Sequence, residues 1–200
     1  MNVHRQSPQL AGLVLAAGAS LRFGAPKPLA LFRDVPLVRH ATTLLAGLCP
    51  AGVYVVAGTA EQAIRGCVAA DGVQVIGNPD WASGLASSLA CGIRALPVGA
   101  DAALVIPCDL PAVTAEDLAR LVAAWRAAPE LMAAAEFDGH PAPPAIFPRA
   151  VWSQLALLRG DQGARAVLES AAQRSAVAMP SAALDADTPE ELARLGRTLG

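Results

Sequence analysis

The sequence predicts an α/β protein built on a mainly parallel sheet with helices on both faces. Two observations carry this. Short, near-continuous apolar runs recur at AGLVLAAG (11–18), GVYVVAG (52–58), VQVIGN (73–78) and DAALVIPCDLP (101–111). Stretches of helical spacing separate them, at PLVRHATTLLAGL (36–48), TAEQAIRGCVAA (59–70) and LASSLACGIRAL (85–96), and TAEDLARLVAAWRAA (114–128) follows the last. Strands without a polar face are buried on both sides, and β-α-β-α order suits parallel pairing.

The elements can be justified in turn. The first strand breaks at Gly18 into a loop holding Arg22, Gly24 and Lys27. Thr59 is a capping-type residue before the second helix. The fourth strand ends on a polar residue, Asp109, just before Pro111. Thr114 is the expected N-cap of the longest helix, with an acidic first turn behind it. Beyond Pro129 the pattern loosens. LMAAAEF (131–137) and PPAIFP (143–148) read as strands, and the prolines suggest an edge strand or an excursion from the sheet. Helices are expected around VWSQLALL (151–158) and DQGARAVLESAAQ (161–173). The chain closes with AVAMP (176–180) and a last helix capped by Thr188, with Pro189 at its first position.

Length and composition bound the function. Two hundred residues without a low-complexity linker or an internal repeat predict one domain, 1–200. Residues 1–9, MNVHRQSPQ, lack the apolar segment of a signal peptide and are expected to be a disordered lead-in. The chain is 54% hydrophobic and 16% charged. No run approaches the roughly 18 uninterrupted apolar residues of a membrane span. A net charge of −2 leaves no basic surface for nucleic acid. Cys49, Cys67, Cys91 and Cys108 are irregularly spaced and contain no C-x-x-C pair, so they read as buried, reduced thiols of a cytoplasmic protein.

The loop after the first strand carries the strongest chemical signal. In open parallel sheets ligands lie beyond the carboxyl ends of the strands. Gly18 and Gly24 let backbone N–H groups approach anionic oxygens. Arg22 can fork onto a phosphate and Lys27 can supply a point charge. These residues describe a phosphate cradle, or else a plain strand-to-helix loop with two surface cations. Neither the Walker A pattern nor G-x-G-x-x-G is present.

Five segments in order resemble the MobA-like nucleotidyltransferase family. LAAGASLRFGAPKPL (15–29) resembles its L-A-x-G-x-S-x-R-x-G-x-x-K-x-L signature. NPDWASGLASSLACGI (78–93) resembles N-P-x-W-x-x-G-x-x-S-S-L-x-x-G, and CDLP (108–111) its strand-ending D-x-P. HPAPPAIFPRAVWSQLALLRGDQGAR (140–165) resembles its G-x-P-x-x-P-x-x-F and G-D-x-G-A-R stretch. LDADTPEEL (184–192) resembles its D-x-D-T-P-E-D-L ending. Within the family the chain is most similar to the cytidylyltransferases of the molybdenum cofactor.

The resemblance implies a three-layer α/β/α, Rossmann-like nucleotidyltransferase fold. It implies Mg²⁺-dependent transfer of CMP from CTP to the phosphate of a molybdopterin acceptor, with release of pyrophosphate. Leu15, Ala16, Ala17, Gly18, Arg22 and Lys27 would hold the nucleotide, with Ser87 and Ser88 beside the base, ribose or acceptor. Arg22, Lys27 and Asp109 would be catalytic. Asp109 and Asp187 would bind the metal, with Asp185 as the alternative to Asp187. Gly84, Gly160, Asp161 and Arg165 would organise the acceptor. The implied partners are the two substrates, and beyond them a recipient molybdoenzyme or its chaperone.

The residues agree with this chemistry. Asp109 ends an apolar strand, where a hard oxygen ligand suits Mg²⁺. Asp185 and Asp187 alternate around Ala186 and share a face in extended chain. No histidine lies in a catalytic-looking motif, and a phosphate nucleophile with a second pKa of about 6 needs no general base. Alternatives remain for several residues. Asp109 and Asp187 could be turn or cap residues, Ser87 and Ser88 could cap a helix, and Asp161 could be a helix N-cap.

Base and acceptor are open to alternatives as well. Ala17 stands where guanylyltransferases of the family typically carry a second glycine, which favours the smaller base. Leu110 stands where cytidylyl members often carry Gln. A transferase using GTP or another phosphorylated acceptor, and a non-catalytic cofactor-binding maturation partner, are the other readings.

Overall fold

The structure, a computed structural model, describes residues 8–198 except Ala19 and Leu21. Residues 1–7 of the expected lead-in lie outside the described residues. Pairing begins at Gln9. Its N–H donates to Asp101 Oδ2 and its carbonyl accepts from the Asp101 N–H, both at 2.7 Å.

Seven strands form one sheet. In chain order they are β1 (Leu10–Ala16), β4 (Val53–Ala57), β5 (Gln74–Gly77), β6 (Ala102–Pro107), β7 (Ala133–Phe137), β8 (His140–Pro148) and β9 (Ser175–Ala178). A two-residue pair, β2 (Leu31–Phe32) and β3 (Val35–Pro36), makes a separate hairpin. The sheet order is β5-β4-β1-β6-β8-β7-β9. Every neighbouring pair is parallel except those made by β8. The expected mainly parallel α/β architecture is therefore what forms.

Helices α1 (Leu37–Ala46), α2 (Glu61–Val68) and α4 (Ala115–Ala127) cover one face. Helices α3 (Leu85–Ala95), α5 (Trp152–Leu157) and α6 (Ala164–Ser170) cover the other. The period-2 alternation of the strands sorts their side chains. Leu10 and Val14 of β1 join Val55, Leu104 and Trp125 in one core, while Ala11, Leu13 and Leu15 join Val56, Leu89 and Phe147 in the other. A third cluster forms where α7 (Pro189–Thr198) meets the hairpin, from Phe23, Phe32, Leu37, Ala186, Leu192 and Leu195.

Four local expectations change. The prolines of 143–148 suggested an edge strand or an excursion from the sheet, yet β8 lies inside the sheet between β6 and β7. The register explains how. Ala145 pairs with Ala134 and Ala142 with Ala135, so Pro143 and Pro144 fall at a bulge where no ladder hydrogen bond is needed. Thr59 does not cap α2, whose N-cap is Ala60 without a side-chain bond. The helix expected from Asp161 begins only at Ala164, with Gly163 at its N-cap. Of the four cysteines, all free, only Cys49 and Cys108 are buried; Cys67 and Cys91 are half-buried. Burial pushes the Cys49 thiol up to about 12 and raises Cys108 further.

The other two predicted N-caps, Thr114 and Thr188, form capping boxes. Asp117 N–H donates to Thr114 Oγ1 and Thr114 N–H to Asp117 Oδ2. Asp117 also accepts from Ser181 Oγ at 2.7 Å and Arg120 at 2.6 Å. Burial raises its pKa, but these donors outweigh that and the net direction is down. A lowered folded pKa means its stabilisation is present above the unfolded carboxyl pKa of about 3.9 and is lost as pH falls through the folded value. Asp117→Ala is expected to cost about 1–2 kcal/mol at pH 7. Urea unfolding should show the gap to wild type shrinking below about pH 4.

Candidate active site

The chain leaves β1 for one side of the sheet through α1, and β6 lies on its other side. The direction of winding thus reverses between β1 and β6, which opens a crevice at their carboxyl ends. The Cys108 N–H donates to the Leu15 carbonyl at 3.1 Å, tying the two strand ends together. The loop after β1 and Asp109 therefore share one cleft by topology. A third segment is fastened there by its backbone, because the Ala186 N–H donates to the Asp109 carbonyl at 3.1 Å. Ala186 is fully buried in the α7 cluster, so Asp185 and Asp187 turn together into the cleft, as their alternation predicts.

The Lys27 ammonium stands at the meeting point. Nζ lies 2.6 Å from Asp109 Oδ2 and 2.9 Å from Asp187 Oδ1. Arg22 Nη2 reaches the other oxygen of Asp187 at 2.6 Å. Two anchors hold the loop that carries both cations. Phe23, next to Arg22, is buried against the hairpin and α7, and the Lys27 N–H donates to Ser20 Oγ at 3.0 Å. Burial alone would lower the Lys27 pKa, but the charges and hydrogen bonds of Asp109 and Asp187 reverse it and the net direction is up. Asp187 is lowered, first by its hydrogen bond from Lys27. Asp185 is raised by burial and by the neighbouring charges of Asp187 and Asp109. Near neutrality Lys27 is thus a fixed cation and Asp187 a fixed anion, while Asp185 ionises less readily. Asp187 is not the cap of α7. That box is made by Thr188 and Glu191, whose carboxylate also accepts the Asp187 N–H at 2.8 Å.

The cleft has a volume of about 810 Å³. Leu15, Ala16, Ala17, Gly18, Arg22 and Lys27 line it, as do Ser88, Gly84, Asp161 and Arg165. Ser87 and Gly160, expected beside them, line a separate cavity of about 610 Å³ on the other side of the α3 start. Their places follow from packing. Gly84 has φ +110°, and a Cβ there would run into the Gly160 carbonyl, which accepts the Ala86 N–H at 3.0 Å. The 158–163 loop is pressed onto the first turn of α3 and forms a wall between the two cavities. The Arg165 guanidinium is engaged by Glu169 at 2.8 Å.

Sequence reasoning missed Trp81 and Phe137 as cleft residues. Trp81 sits in the N-P-x-W segment and packs where a Cβ on Gly58 would touch both it and the Ala17 carbonyl, the latter at 2.5 Å. Phe137 ends β7 and arrives only through the antiparallel β7–β8 pairing, which no local signal announced.

An all-oxygen donor set converging on a cation suits a hard divalent metal. Asp109 and Asp187 already share one positive charge. Among the described residues no group of three His, Cys, Asp or Glu side chains forms a metal cage, so remaining ligands would come from water or phosphate.

Residues 12–177 match the MobA-like NTP transferase domain. The chain belongs to that family. Its relatives include the nicotine blue oxidoreductase of Paenarthrobacter nicotinovorans, 34% identical over 121 residues, covering 60% of this chain and 58% of that protein. The purine catabolism protein PucB of Bacillus subtilis is also 34% identical, over 125 residues and 60% of each chain. The matches thus span less than two thirds of these relatives. Among solved structures, Rv0371c of Mycobacterium tuberculosis H37Rv superposes with a TM-score of 0.78 at 27% identity, covering 94% of this chain and 98% of that one. The same mycobacterial protein is also known in complex with manganese, at 26% identity, a TM-score of 0.78, and coverage of 95% and 99%. The molybdopterin-guanine dinucleotide biosynthesis protein A of Archaeoglobus fulgidus shares the fold, with a TM-score of 0.68 at 19% identity and coverage of 94% and 98%.

The Gly84 position gives a test of this geometry. Gly84→Ala adds strain at a positive φ and a clash with the Gly160 backbone. It should cost about 1–3 kcal/mol and lower the melting temperature by about 2–10 °C. Differential scanning calorimetry measures it. Gly99, where a Cβ meets nothing within 4 Å, should tolerate alanine.

Proposed function

We propose that this chain is a divalent-metal-dependent nucleotidyltransferase that moves CMP from CTP to the phosphate of a molybdopterin-type acceptor and releases pyrophosphate. The observation that carries the transferase reading is the Lys27 ammonium held between Asp109 and Asp187 at the switch point of the sheet. Family membership and the relative solved with manganese support it. The cleft volume suits a nucleotide and an acceptor side by side. CTP rests on Ala17, which stands where guanylyltransferases of the family typically carry a second glycine, and on the resemblance to cytidylyltransferases. Mg²⁺ and the molybdopterin acceptor rest on that resemblance alone.

The chain's own residues divide the work. Backbone N–H groups of Ala17 and Gly18 face the triphosphate, and Arg22 and Lys27 neutralise its oxygens. To do so both cations exchange a carboxylate partner for a phosphate one. Lys27 is held protonated, so it acts as charge and not as base. Asp109 and Asp187 would hold the metal, with Asp185 in reserve. When bound, the ion supplies neutralisation of charge on the reacting phosphates. The acceptor phosphate is largely ionised near pH 7, so the protein need only position it in line. Gly84, Asp161 and Arg165 form the end of the cleft where the acceptor would sit.

The test is pyrophosphate release with Mg²⁺ and each of CTP, GTP, ATP and UTP, with and without molybdenum-loaded molybdopterin. Release with CTP only when the acceptor is present is the expected result. Release with GTP would keep the reaction and change the base. Binding without release under every condition would favour the maturation partner. Asp109→Asn and Lys27→Ala should each lower turnover by about 10²–10³ while leaving the melting transition cooperative. Near-normal rates in either variant would remove that residue from the mechanism.

A further inference from the structure

The N-P-x-W segment opens on a buried polar side chain that the mechanism above does not use. Asn78 is 5% exposed and follows the last residue of β5. Its main-chain N–H donates to the Ala57 carbonyl at 2.8 Å, and its Oδ1 accepts the Asp80 N–H at 3.0 Å. A backbone N–H can face only the amide oxygen, so this bond settles which way the amide points. The Nδ2 hydrogens are then directed at two hydroxyls, Ser87 Oγ at 2.9 Å and Ser88 Oγ at 3.1 Å.

The two serines differ in what becomes of their own protons. Ser87 Oγ lies 2.9 Å from the Asp80 carbonyl and 2.8 Å from the Gly84 carbonyl, so its proton is used inside the fold. Ser88 lines the main cleft, and among the described residues no acceptor for its proton lies within hydrogen-bond range. A hydroxyl has one proton and two lone pairs. With a lone pair of Ser88 occupied by Asn78, its proton is left to point at whatever fills the cleft.

We propose that Asn78 is a positioning residue that sets the Ser88 hydroxyl as a hydrogen-bond donor to the nucleotide. The inference rests on the nucleotide reading of the cleft. It assigns the ligand atom opposite Ser88 as an acceptor, on ribose, base or phosphate. It also explains why an asparagine and not an aspartate stands at 78. A carboxylate there would accept both serine protons and leave Ser88 with only lone pairs to offer.

The experiment is a double-mutant cycle read by calorimetric titration with CTP in the presence of Mg²⁺, GTP serving as the probe if CTP does not bind. Ser88→Ala should weaken nucleotide binding about 3- to 10-fold, and Asn78→Ala or Asn78→Asp by a similar factor. In the Ser88→Ala background the changes at 78 should add less than twofold. Kinetically KM should rise with kcat held within about twofold, since the bond is made equally before and during reaction. A purely structural Asn78 would instead lower the melting temperature and leave KM where it was. Unchanged affinity in Ser88→Ala, or full additivity of the two sites, overturns the inference. Should Asp or Ala at 78 prevent folding, Asn78→Ser, which keeps one donor, carries the same cycle. A wild type that binds the nucleotide but releases no pyrophosphate would refute the transferase reading, while the affinities alone would still decide the role of Asn78.

Discussion

Everything at the candidate site depends on one charge pairing, the Lys27 ammonium between the carboxylates of Asp109 and Asp187. It links three segments far apart in the chain: the loop after β1, the end of β6 and the approach to α7. Lys27 is only 14% exposed in its side chain, and the two carboxylates 24% and 31%. At such burial an unpaired Lys27 charge would be costly, and the two carboxylates offset that cost. The same arrangement is chemically primed. Two carboxylates and two basic side chains face one cleft, each paired with a partner that a phosphate or a metal ion can replace.

The fold provides the means of bringing them together. Reversal of the winding between β1 and β6 puts two strand ends side by side, and the bond from Cys108 to Leu15 locks them. The Ala186–Asp109 backbone bond then docks the last segment, with the buried methyl of Ala186 acting as the peg. Hydrophobic packing therefore decides where the carboxylates point. Phe23 does the same for the cation loop.

The start of α3 organises the rest of the cleft. Gly84 gives the 158–163 loop room to lie against the helix, and this wall separates two cavities that a sequence motif would treat as one surface. Adjacent serines end up on opposite sides of it. The Ser87 hydroxyl is used inside the fold, whereas the buried Ser88 lines the main cleft, and the amide of Asn78 touches both.

Much was legible in the sequence because it depends on local physics. Apolar runs and helical spacing predicted the mainly parallel sheet, since strands without a polar face must be covered on both sides. Thr114 and Thr188 were readable as caps because a capping box spans only four residues. Lys27 and Arg22 were found through composition and spacing and Asp109 as the polar end of an apolar strand, whereas the Asp185–Asp187 pair came from the family resemblance, which also implied a role for each. What the tertiary structure decided is everything that needs two distant segments at once. The central position of a proline-bearing β8 depends on a bulge that only the pairing with β7 defines. The exclusion of Thr59 and Asp161 from capping depends on where neighbouring elements fix the helix starts. That Asp187 meets Lys27 and not the end of α7, and that Ser88 and not Ser87 faces the cleft, follows from packing between layers. A one-dimensional pattern names the groups able to carry charge, but only the packed fold determines which of them face one another.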